Sequence, residues 1–150
     1  MIGRTKIARW IGVLLLLAIV AILFGPSIRY RLAVGDLHDQ LADIQPSSGE
    51  LIDSYVSSCY DVAPASIRVY RPTGGADLAV VRSDYISALS ARGFESIRLG
   101  LQLAWGRERN DDLDGDDVRF VADEGANTLT VIADAYDTDM VTCIPLTGRR

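Results

Sequence analysis

Histidine occurs once, lysine once and cysteine twice in these 150 residues, and no acidic side chain precedes Asp36. Each scarcity removes a class of chemistry. A Ser-His-Asp triad or a Cys-His dyad would have to use His38, which sits among Asp36, Asp39 and Gln40 where a solvated helix face is expected. A Ser-Lys pair would have to use Lys6, ahead of a long apolar run. Zinc would have to be held by one histidine, two cysteines and carboxylates, with no C-x-x-C or H-x-x-x-H spacing to bring them together. Neither G-x-x-x-x-G-K-[ST] nor G-x-G-x-x-G is present, so no known phosphate-cradling loop can be assigned. Aromatic residues are too few for an evident sugar platform beyond Trp105 and scattered tyrosines. A small envelope hydrolase working with carboxylates alone therefore stands only as an alternative function.

Charge is distributed unevenly. Residues 1–31 hold Arg4, Lys6, Arg9, Arg29 and Arg31 and no acid, which leaves −10 for residues 32–150 against −5 overall. A surface that tracks phosphates needs clustered basic side chains, so an acidic distal part disfavours nucleic acid as a partner.

What the chain does have is one long apolar run. From Trp10 to Ile28 no side chain is charged, and at about 1.5 Å per residue the stretch reaches roughly 28 Å, close to the hydrocarbon thickness of a bilayer. The expected organisation is a basic tail over 1–9, a transmembrane helix over 10–28, a juxtamembrane helix over 29–45 and an extracytoplasmic domain over 46–150. Trp10 and Tyr30 would be the interfacial anchors, and the lipid bilayer a partner. The basic excess ahead of the run favours a single-pass protein of the cell membrane with its N-terminus cytoplasmic. The competing expectation is a signal peptide cleaved after Ser27, in the small-residue stretch Gly25-Pro26-Ser27, which would release a secreted effector or inhibitor.

Cys59 and Cys143 lie near the two ends of the distal domain. An even pair in an exported domain is usually a disulfide, and closing a loop of roughly 80 residues would contribute about 4 kcal/mol in the chain-entropy account. Between these ends the patterning reads as α+β. Tyr30, Val34, Leu37, Leu41 and Ile44 form a helical stripe that could pack on the domain or form a dimer stalk. Leu51, Ile52, Tyr55, Val56 and Cys59 recur at helical spacing after Ser48-Gly49 and predict a second helix. A strand is expected over 65–71, ended by Pro72-Thr73-Gly74-Gly75, then a helix from Ser83 to Gly93, with 77–82 either a strand or an earlier start to that helix. Ile97, Leu99, Leu101, Leu103 and Trp105 alternate with a strict period of two, a strand with one buried face. Further strands are expected over 118–122, 128–135 and 140–146, making an antiparallel sheet of about four strands packed by two helices.

One segment suggests metal chemistry. Asn110, Asp112, Asp114 and Asp116 place oxygens at alternate positions around Gly115, as in loops that wrap calcium. The helix-loop-helix pattern fails at its ninth and twelfth positions, Val118 and Val121, so calcium binding could only be weak. A solvated hairpin connection accounts for the same residues. No catalytic residue and no organic cofactor is assigned. The function expected is an envelope binding or assembly domain that meets a protein partner or a second copy of itself.

Overall fold

A computed structural model describes residues 4–60, 63–99, 102–108 and 115–136. Helix α1 (Arg4–Gln40) is followed by strands β1 (Gly49–Tyr60) and β2 (Ala63–Pro72), helix α2 (Leu78–Ser90) and strands β3 (Glu95–Leu99), β4 (Gln102–Glu108), β5 (Gly115–Asp123) and β6 (Thr128–Tyr136). The strands form one sheet in the order β1-β2-β6-β5-β4-β3, antiparallel at every pairing. The class is α+β, with six strands among the described residues where about four are expected from the sequence; the strand expected over 140–146 lies outside the described residues.

Two misread segments account for the difference. Residues 51–59 lie in β1, not in a helix. A register shift between Leu51 and Asp53 moves the side chains by one position, so apolar residues that would alternate recur instead at spacings resembling a helix. Ile52, Tyr55 and Val56 are largely exposed on this edge strand, so their spacing records no buried helical face. The alternating run 97–105 is divided between β3 and β4, which pair back on each other from Leu99↔Gln102 to Glu95↔Gly106. Trp105 is buried at 7% exposure and Leu103 is open at 51%. The run therefore has no single buried face.

The sheet's core face is built from β2, β5 and β6. Tyr70, Val118, Leu129, Val131 and Ala133 meet Leu37, Leu41 and Ile44 of the α1 end and Val81, Tyr85 and Leu89 of α2 in one cluster. All five members of the stripe Tyr30, Val34, Leu37, Leu41 and Ile44 are buried. Of the two roles the sequence leaves open, the stripe packs on the sheet. Asp77 caps α2 by accepting a hydrogen bond from the Val80 amide at 2.9 Å, so the helix takes the earlier of its two expected starts. Gly93 follows it at φ +83°, a conformation that costs glycine nothing, and the Phe94 amide donates to the Leu89 carbonyl.

The N-terminal part of α1 is different. Large apolar side chains from Trp10 to Ile22 are exposed, at 69% and 75% for those two residues. Among the described residues, however, no helix is long and apolar enough to cross a membrane. This corrects the expectation of a transmembrane, single-pass signal anchor over 10–28. Residues 10–28 and 29–40 lie in one continuous helix.

Candidate binding cleft and its acid pair

The sheet is divided at one end. Pairing between β4 and β5 runs from Glu108↔Gly115 to Trp105↔Val118 and stops there. Beyond that point β4 continues to Gln102 against β3, while β5 continues to Asp123 against β6. The two strands part, and α2 closes one side of the gap with Arg82. A cleft of about 350 Å³ results, lined by Arg82, Gln102, Leu103, Arg119, Phe120, Val121 and Ile132. Its lining sets two arginines and a glutamine beside Leu103, Phe120, Val121 and Ile132.

The two arginines are held in different ways. Arg82 rests on two aromatic rings, its guanidinium carbon 5.5 Å from the centre of Trp105 and 5.6 Å from that of Phe120. The rings meet edge to face at 5.1 Å, so the platform beneath the cation is rigid. The Arg82 Nε is buried without a hydrogen-bond partner, and the side chain forms no ion pair among the described residues.

Arg119 is engaged. Its Nη2 donates to Asp134 Oδ2 at 2.7 Å, and its Nε lies 3.3 Å from Asp117 Oδ2. The second contact has the distance of an ion pair but not the angle of a hydrogen bond.

Asp117 and Asp134 are directly opposite on β5 and β6. Asp117 is 2% exposed. Burial pushes its carboxyl well above the usual range, and hydrogen bonding to Asp134 and the charge of that neighbour push the same way, against the opposing pull of Arg119. Asp117 therefore holds a proton toward Asp134 while Arg119 neutralises the charge that remains.

The residues singled out from the sequence are not brought together here. Asn110, Asp112, Asp114 and Cys143 lie outside the described residues. Cys59 lies in β1, its side chain outside the described set, so the Cys59–Cys143 pairing also falls outside the description. Asp116 is fully buried on the core side of β5 and accepts from Arg107 Nη2 at 2.7 Å. Arg107 also donates to Gln40 and lies over Phe94, so Asp116 serves as an anchor between α1 and the sheet. No group of three or more His, Cys, Asp or Glu side chains that could hold a metal occurs among the described residues.

His38 is not the solvated residue expected. Its Nδ1 is 2.7 Å from the Ser66 hydroxyl, and Arg68 Nη2 donates to its backbone carbonyl. Burial, followed by the nearby Arg68 charge, lowers its pKa. Ser66 is buried, so this serine-histidine contact is shut off from any substrate and instead fastens α1 to β2.

Sequence reading missed Arg82, Arg119, Asp117 and Asp134. A signal was available in the last of these, a single acid inside the apolar run Val131-Ile132-Ala133-Asp134-Ala135. No protein-family model, curated protein or solved structure matches the chain.

Proposed function

We propose that this chain is a lipid-attached binding protein, in which α1 holds a ligand-binding sheet domain at a bilayer surface. The observation that carries this reading is the change of character along one helix. Residues 30–37 of α1 present a stripe buried against the sheet, whereas Trp10, Ile11, Val13, Leu14, Leu15, Leu16, Leu17, Ile19, Val20 and Ile22 are exposed. Successive helical side chains rotate by about 100°, so these ten residues cover every face. A partner helix would cover one stripe and leave the others in water. Lipid covers all of them. Contact with lipid is what this surface supports; passage across the bilayer is not proposed. In the sheet domain, the cleft between β4 and β5 supports binding.

Flotation of the full chain with phosphatidylcholine vesicles tests the attachment. The wild-type chain is expected to rise with the vesicles. The combined variant Leu14→Glu, Leu17→Glu and Val20→Glu is expected to stay at the bottom, with the thermal transition of its sheet domain unchanged. A folded wild-type chain that stays at the bottom, or a variant that floats equally well, overturns the reading.

A further inference from the structure

We propose that the cleft between β4 and β5 binds a small apolar monocarboxylate, with the carboxylate on Arg82 and the apolar body against Leu103, Phe120 and Val121. This rests on the sheet domain being the binding part of the molecule, and is independent of lipid attachment.

Three observations define the ligand. The first is an unmet donor: Arg82 Nε is buried without a partner. Arg82 itself lines the cleft, and its side chain has no ion pair among the described residues, so its charge is open to a bound carboxylate. The guanidinium carbon lies 5.5 Å and 5.6 Å from the Trp105 and Phe120 ring centres, and a guanidinium offers paired donors to a planar carboxylate.

The second is charge. Arg119 is already committed to Asp134 and Asp117, so Arg82 is the cation the cleft offers to a guest. With −10 over residues 32–150, a guest carrying two or more negative charges would be repelled, while one carboxylate is matched by one guanidinium.

The third is the wall. Leu103, Phe120 and Val121 are apolar and line a space of about 350 Å³, which suits an aromatic or branched acid rather than a bare anion.

The test uses the full chain in dodecyl maltoside micelles, so that it does not depend on vesicle attachment. Phenylacetate and its uncharged counterpart phenylacetamide are titrated and followed by ligand-observed NMR. Phenylacetate is expected to bind at least about tenfold more tightly than the amide, the effect of one charge-assisted contact. Arg82→Met is expected to abolish that preference while the amide still binds. Leu103→Asp, at an exposed position that tolerates change, places a second negative charge in the cleft and is expected to eliminate phenylacetate binding without altering the melting temperature. Equal affinity for acid and amide in the folded wild-type chain overturns the proposal. So does a preference that survives either substitution. Loss of phenylacetate binding in a chain that still floats with vesicles would reject the ligand class and leave the lipid reading intact.

Discussion

Tyr70 and Tyr85 meet edge to face in the core, 5.5 Å between ring centres, and differ in one hydrogen bond. The Tyr70 hydroxyl donates to the Ile44 carbonyl at 3.0 Å, tying the segment after α1 to β2. The Tyr85 hydroxyl is buried with no partner in hydrogen-bond geometry. Burial raises the pKa of both phenols, so both remain neutral throughout the physiological range. Removing each oxygen should therefore have unequal effects. Tyr70→Phe leaves a buried carbonyl unmet and is expected to cost about 1–2 kcal/mol, whereas Tyr85→Phe removes an unsatisfied group and is expected to be neutral or stabilising by up to about 1 kcal/mol. Urea unfolding of the two variants separates them. A larger loss for Tyr85→Phe than for Tyr70→Phe would show that the Tyr85 hydroxyl has an acceptor in solution.

At the scale of elements, α1 carries a poor helix former inside the part that packs on the sheet. Gly35 lies between buried Val34 and Leu37, and a methyl group added to it would meet nothing within 4 Å. Its backbone is helical, so alanine fits without strain. Gly35→Ala is expected to stabilise the fold by about 0.5–1 kcal/mol, seen as a higher urea midpoint at unchanged slope. An unchanged midpoint would mean that this turn of α1 is not part of the cooperative unit.

The same helix marks where the sequence is readable. The stripe from Tyr30 to Ile44 is legible because helix packing preserves its spacing over several turns. The strand over 65–71 is legible because Arg68 and Tyr70 on the helix side alternate with Ile67 and Val69 on the other. β1 is illegible because register shifts break its alternation. The division of 97–105 between β3 and β4 leaves the strict alternation of the sequence intact, so the spacing alone does not reveal it. The cleft is harder still. It depends on where pairing between β4 and β5 ends and on Arg82 arriving from α2, and neither fact leaves a trace in local spacing.

For the molecule as a whole, the buried acid pair makes stability depend on pH. Asp117 retains in the fold a proton that the unfolded chain releases near its ordinary pKa of 3.8. Between that value and the raised folded one, the native state binds more protons than the unfolded state, so unfolding becomes easier as pH rises. His38 acts in the opposite direction. Its pKa is lowered from 6.5 in the fold, so its neutral form is favoured and stability is lost as pH falls below that value. Above pH 6.5 the two effects separate and the Asp117 slope remains. Asp117→Asn keeps a hydrogen bond toward Asp134 and has no proton to lose. From pH 6.5 to pH 8.5 the wild-type chain is expected to lose on the order of 2 kcal/mol more than this variant, as read from urea midpoints at the two values. Repulsion among the remaining acids is nearly common to both proteins and largely cancels in the comparison. Parallel pH profiles would mean that Asp117 is ionised in the native state, with Arg119 rather than a shared proton holding the pair together.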